Sequence, residues 1–312
     1  MRAVTFAVLM GCAAPNPASA QDGRMAHVAD GFWAHWGDGR AEMNAYTLVT
    51  PRYGELRHGR TVLVFVTEDF TDAQRVKSDG GHEDEYPVLK LNEARDFQTG
   101  LYDYNVMSST FVRIDGRGSF GMPVKVSTSI QEWCGSAYEQ FLPRGGEIIL
   151  HGHSYFDGEA DHERRLPIPE GGVAMDALPI LVRGLVGEFV APGASADLPV
   201  LPTLLSGRLA HQPVAWATAR VTRSAGGATV QVPAGSFVVH EVTVAVEGGQ
   251  TTTWQVEDAW PHRIVGWSSS DGERAALLGS ERMPYWQQNH EGEEALLDRI
   301  GLAPPAWPSG GP

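Results

Sequence analysis

GSFVVHEVTVAVEGGQTTTWQVEDAWPHRIVGWSS, residues 235–269, decides the class of fold. Val238, Val242, Val244 and Val246 alternate with Glu241 and Thr243, the two-residue period of a strand with one buried and one wet face. Gly248-Gly249 then breaks the chain. TTTWQVED (251–258) and HRIVGWSS (262–269) repeat the pattern on either side of a Trp260-Pro261 corner. Upstream, VAWATARVTR (214–223) ends at Gly226-Gly227. Strands this short, separated by glycine and proline turns, predict an antiparallel meander. His240 falls on the valine face and reads as an interior histidine held by a partner.

The same signals extend towards the N-terminus. TVLVFVT (61–67) is a continuous β-branched run, as expected of a strand covered on both faces. Further strands are expected at 88–91, 104–114, 124–133 and 146–156, with strands 124–133 and 146–156 able to pair as a hairpin. Residues 176–187 fit a short helix with Asp176 as N-cap and Pro179 in the first turn. A Pro-rich connection covers 192–202, and EEALLDRIG (293–301) reads as a short helix stopped by Gly301. The fold class predicted is mainly β: a large curved antiparallel sheet, half-barrel or lipid-carrier-like, with a few short helices. One β-rich domain over 31–302 is expected, with a sub-boundary near 190–212 and a disordered tail at 303–312.

The chain has 312 residues with 36 glycines and 20 prolines, a composition suited to many turns. Its formal charge of -14 repels nucleic acid and anionic membrane surfaces, so no nucleic-acid partner is expected. After Gly23 no apolar run approaches the ~18 residues that a spanning helix needs.

The first residues, MRAVTFAVLMGCAAPNPASA, carry an arginine, a short apolar run and then Leu9-Met10-Gly11-Cys12. Leucine three positions before a cysteine, with a small residue between, resembles the lipobox of bacterial lipoproteins. On that reading residues 1–12 hold the signal, Cys12 is the lipidation site, and 13–30 form a flexible tether rich in Ala, Pro and Ser. The alternative is an ordinary secretory signal cut after Ala20. Both leave Cys134 as the one free thiol, and burial beside Trp133 is its expected state.

Candidate chemistry is sparse. In HGHSYFDGEADHE (151–163) His151 and His153 leave a strand on the same face, and Asp157 or His162 from the following loop would add a third metal ligand. The structural alternative is a polar strand and turn with no metal. Cys134 would be a nucleophile only with a nearby base such as His151 or His153. Glu68 and Asp69 follow a buried strand, where carboxylates serve catalysis or cap turns. Trp254 and Trp267 would line an apolar groove or fill the core. No Gly-x-Ser-x-Gly elbow, phosphate-binding P-loop or His-Glu-x-x-His helix is present.

Three stretches carry a resemblance: WGDGRAEMNAYTLVTPRYGELRHGRTVLVFVTEDF (36–70), VLKLNEARDFQTGLYDYNVMSSTF (88–111) and QEWCGSAYEQ (131–140). Together they resemble a family of bacterial envelope lipoproteins of uncharacterised role, some of which carry the label septum formation inhibitor Maf. The Ser-rich phosphate loop of the Maf pyrophosphatases has no counterpart here. The resemblance implies an envelope compartment and a curved antiparallel sheet of the kind found in lipid carriers, and it transfers no catalytic residue. The expected role is a non-enzymatic envelope lipoprotein without cofactor. It would be anchored through Cys12 at the outer membrane, facing the periplasm, and would bind an apolar ligand or an envelope protein. A secreted metal-dependent hydrolase using His151, His153 and Asp157 is the rival.

Overall fold

The computed structural model describes residues 24–304. Cys12, the signal segment and the tail beyond 304 lie outside the described residues. A short helix, α1 (Phe32–Trp36), leads into a run of long hairpins: β1 (Ala41–Arg52), β2 (Glu55–Thr71), β3 (Glu85–Thr99), β4 (Tyr102–Arg113), β5 (Lys125–Glu132), β6 (Gly135–Arg144), β7 (Glu147–Ser154) and β8 (His162–Pro167). Next come a two-residue strand, β9 (Val173–Ala174), a 3-10 turn (Met175–Ala177) and α2 (Leu178–Leu181). The second half holds β10 (Ser195–Leu201), α3 (Leu204–Ala210), β11 (Ala217–Arg223), β12 (Ala228–Val232), β13 (Gly235–Val246), β14 (Thr251–Glu257), β15 (Ile264–Ser269) and β16 (Arg274–Met283).

All of these strands belong to one sheet, ordered β8-β7-β6-β5-β4-β3-β2-β1-β16-β15-β14-β13-β11-β10-β9, with β12 also paired on β13. Every neighbouring pair is antiparallel except β9 and β10. Laid flat, that order would part β8 from β9 by about 65–70 Å at ~4.8 Å per strand. Only residues 168–172 join them, a reach of about 20 Å. The sheet therefore has to curl until its two ends face each other. Contacts across the meeting ends confirm it: Trp216 Nε1 donates to Pro167 O at 2.9 Å, and Arg164 Nη2 donates to Val214 O at 3.1 Å.

The interior of the curl is filled by the segment following β9. Leu178, Ile180, Leu181, Leu185, Val186 and Phe189 are all buried. They join Leu63, Phe65 and Leu89 from one arm of the sheet and Val244, Val256 and Trp267 from the other in a single core. The proposed sub-boundary near 190–212 is not a divide, because one sheet and one core run across it. The outer face of β2 is also covered. Val62 and Val64 pack with Met43, Ala45, Met283, Ile300 and Leu302, so the C-terminal 3-10 turn (Glu293–Ile300) lies over the strand's far side. This is why residues 61–67 carry no alternation.

Several expectations need correction. Residues 24–30, assigned above to the tether, are docked: Met25 bridges to Ser119, His27 N donates to Val186 O at 3.0 Å, and Ala26 is 1% exposed. The stretch 192–202 is not a connection but contains β10, paired with β11 despite Pro199. Strands 124–133 and 146–156 do not pair with each other, because β6 lies between them. Asp176 caps no helix of its own; it is buried, and its carboxylate is bonded to the backbone at Leu204, where α3 begins.

Candidate functional site

Where the ends of the curl meet, β5, β6 and β8 form the wall of a cavity of about 500 Å3. α3 and the loop between β7 and β8 close its other sides. The strand register explains the wall. Ile130 and Ala137 are directly opposed on β5 and β6, and Thr128 opposes Glu139. Alternation sends these four to the interior, where they line the cavity together with Leu204 and Pro213. α3 is started by Thr203, whose hydroxyl accepts from Ser206 N at 3.1 Å. It is seated by Leu205 and Leu209 against Phe97, Tyr104 and Val106. Its far end is tied to the β1–β2 hairpin, since Arg52 Nη1 donates to Leu209 O at 2.9 Å.

Polar groups are concentrated on two sides. Arg208 and His211, at the end of α3, both grip Glu159 of the loop, at 3.2 Å and 2.5 Å. Arg208 also lies 4.1 Å over the Phe156 ring. These contacts fasten the β7–β8 loop across the cavity like a strap. On the opposite side Glu139 is mostly buried, and burial raises its carboxyl above the usual range; His162 Nε2, 3.8 Å away, acts in the other direction. An apolar floor with a few convergent polar groups is the usual construction of a small-molecule site.

The residues singled out from sequence are divided by the sheet. Along β7, residues 147, 149, 151 and 153 share one face, and Ile148, Leu150 and Gly152 the other. His162 stands opposite Gly152, and its ring occupies the space a Cβ there would need, so it shares the interior face. His151 lies 3.9 Å from Glu163, and His153 pairs with Asp161 at 3.0 Å near the cavity mouth. His151 and His162 thus leave on opposite faces. Among the described residues no three His, Cys, Asp or Glu side chains are grouped to hold a metal. His151, His153, Asp157 and His162 are therefore not brought together in one group of ligands among the described residues.

Cys134 is exposed, not buried. It forms with Trp133 the two-residue turn between β5 and β6, and Trp133 is 71% exposed. Its thiol is held protonated by the Glu132 carboxylate beside it, the reverse of what a nucleophile needs. Glu68 and Asp69 lie within β2, which continues to Thr71, and Glu68 is paired with Lys90 at 3.1 Å. Trp254 and Trp267 are opposed on β14 and β15, with ring centroids 5.2 Å apart, and both are buried in the main core. Tyr46 packs against Trp267, whose indole N–H donates to Glu273 at 3.0 Å. Neither lines the cavity between β5, β6, β8 and α3.

Sequence reasoning missed Glu139, Arg208 and His211. Glu139 was hidden because β6, GSAYEQFLPR, has mixed polarity and follows a turn containing large residues. α3 did carry a signal: Thr203 followed by Leu204-Leu205, with His211 in the left-handed conformation as its stop.

No protein-family model matches the chain, and no curated protein matches it. Among solved structures it is similar to a crystal structure described as a beta-barrel-like protein of domain of unknown function DUF1849 from Brucella abortus. The identity is 10%, the TM-score 0.44, and the match covers 78% of this chain and 96% of that one.

Proposed function

We propose that this is a non-enzymatic binding protein of the bacterial envelope that holds an amphipathic small molecule in the cavity between β5, β6, β8 and α3. The observation that carries the reading is the cavity itself. It is about 500 Å3 in volume, within the range of small-molecule sites, with Ile130, Ala137, Leu204 and Pro213 as an apolar floor. An apolar body would lie on that floor. A hydrogen-bonding head would meet Glu139, His162 and Arg164. The metal-dependent hydrolase reading loses support because His151 and His153 are each paired with a carboxylate, Glu163 and Asp161, and among the described residues no third ligand is grouped with them.

The test is titration of the full chain with the neutral apolar fluorophore N-phenyl-1-naphthylamine. Saturable one-to-one enhancement is expected in the wild type, with loss in Ala137→Phe, whose ring would occupy the floor. Equal enhancement in a folded Ala137→Phe would refute the location.

Placement in the envelope rests on the Leu9–Cys12 pattern, and we propose lipidation at Cys12 as the anchor. Each buried acyl CH2 contributes ~0.8 kcal/mol, so two or three chains hold a protein to a bilayer almost permanently. The wild type should incorporate labelled palmitate and fractionate with membranes, and Cys12→Ser should do neither. A soluble wild type beginning at Gln21 would show cleavage by the ordinary route.

A further inference from the structure

A second, smaller cavity opens elsewhere in the fold, where Ala29, the buried turn 181–190, the end of β11 and the middle of β13 meet. Its volume is about 190 Å3. A water's share of the liquid is ~30 Å3, so the space suits a group of a few heavy atoms and no lipid.

What distinguishes this cavity is its lining. Arg223 at the end of β11, His240 in β13 and His262 at the β14–β15 corner all face it. Each is oriented by a contact that leaves another nitrogen available. His240 Nδ1 is bonded to Asp258 Oδ1 at 2.8 Å, and His262 Nδ1 to Glu257 O at 3.1 Å. An imidazole that donates its Nδ1–H in this way keeps Nε2 for a ligand, and Nε2 donates to an anion once the ring is protonated. Arg223 reaches Val190 O only at 3.5 Å, and its buried Nε has no hydrogen-bond partner.

The other charged groups leave this cluster without a matching anion. Arg183 also lines the cavity, but its charge is taken by Glu42. Asp258 is occupied by His240, and Glu188, an exposed residue that also lines the cavity, has its charge matched by Arg24. The crowding is visible in the chemistry of His240. Burial lowers its basicity most, Asp258 opposes this, and Arg223 and His262 lower it further. His262 also adopts φ +59°, a left-handed conformation uncommon outside glycine. Such strain persists where surrounding structure imposes it, and it collects at binding sites.

We propose that this pocket binds a small oxyanion, a phosphate or carboxylate group, through the Arg223 guanidinium, with His240 and His262 donating from Nε2 as imidazolium cations that the bound anion stabilises. A guanidinium offers a planar fork that matches both groups, and charge-assisted hydrogen bonds in a partly buried site are the strong ones. This site is separate from the β5–β8 cavity, and the inference does not rest on what that cavity holds.

The experiment is isothermal titration of the full chain with sodium phosphate and, separately, sodium acetate, against sodium chloride at matched ionic strength. Imidazole resonances would be followed by NMR in parallel. The expected result is saturable one-to-one binding of phosphate or acetate, with the His240 and His262 resonances moving along the same isotherm and chloride without effect. Saturation by phosphate alone assigns a phosphoryl group, and saturation by acetate alone a carboxylate. Arg223→Gln should weaken binding about tenfold or more. Arg223→Lys, which keeps the charge, should retain part of it and serves if the glutamine variant does not fold. Histidine resonances that respond to chloride as they do to both oxyanions would overturn the proposal, as would undiminished binding in a folded Arg223→Gln.

Discussion

Arg183 Nη1 lies 2.8 Å from Glu42 Oε1 with both side chains sealed from solvent, at 0% and 1% exposure. The hydrogen bond within the pair runs from Arg183 Nη2 to Glu42 Oε2 at 3.1 Å. Asn44 and His35 complete the carboxylate's bonds at 2.7 Å and 2.9 Å. The guanidinium stacks 4.4 Å above Phe65 and donates to Pro261 O. One ion pair thus ties β1, the segment filling the curl, α1 and the β14–β15 corner together.

Removing one partner of such a pair leaves an uncompensated buried charge. Glu42→Gln should therefore destabilise the protein by about 3–5 kcal/mol, read from the midpoint of urea unfolding. Glu42→Gln with Arg183→Met should recover much of that loss. A Glu42→Gln midpoint within error of the wild type would mean that the pair does not hold the segment in place.

The response to pH has two opposing limbs. Burial pushes the Asp176 carboxyl up to about 7, against an unfolded value of ~3.9. Between those values the native state keeps a proton that the unfolded chain releases. Stability should therefore fall as pH rises from about 4 through about 7, then level off. Asp176→Asn should remove that slope and raise stability on the alkaline side, by on the order of 3 kcal/mol. Glu42 behaves in the reverse sense. Burial alone would raise it, but Arg183 and the hydrogen bonds from His35 and Asn44 bring it down to about 2. Its contribution is present above the ordinary glutamate range and is lost as pH falls through about 2. An Asp176→Asn profile parallel to the wild type would contradict the first assignment.

Cys134, on its open turn, should label completely with a maleimide in the folded protein. The rate should be slow, because Glu132 disfavours the thiolate. Glu132→Gln should accelerate labelling. Protection until denaturant is added would place the thiol inside the fold after all.

Trp267 is a core residue in this structure, so Trp267→Ala should cost about 3–5 kcal/mol of stability. The affinity for N-phenyl-1-naphthylamine in the β5–β8 cavity should stay unchanged. A stability-neutral substitution that abolished probe binding would restore the tryptophans to a ligand role.

The curved β class was legible because alternation and glycine breaks are local. The valines at 242 and 244 face the core, and Gly301, at φ +76°, stops the final turn. Val238 does not follow them: it is 55% exposed while Val239 is buried, a reversal of face that composition alone does not mark. His240 is interior, as the valine face suggested, with its Nδ1 held by Asp258. The candidate site was far less legible. Its parts come from β5, β6, β8, a loop and α3, brought together only because the sheet curls end to end. His151 and His153 drew notice through their spacing, yet only His153 of the two reaches the cavity, where topology joins it to His162 and His211. Cys134 was misplaced for a similar reason. Beside a tryptophan it reads as core, but Glu132 pairs with Gly135, which leaves Trp133 and Cys134 as the turn between them.

The central claim, that the β5–β8 cavity holds an amphipathic molecule, is tested most directly by native mass spectrometry of the full chain purified from the membranes of the cells that make it. The wild type should carry a non-covalent adduct that organic extraction releases, and Ala137→Phe, purified in the same way and folded, should carry none. A wild type without any adduct, or the same adduct on both proteins, would contradict it.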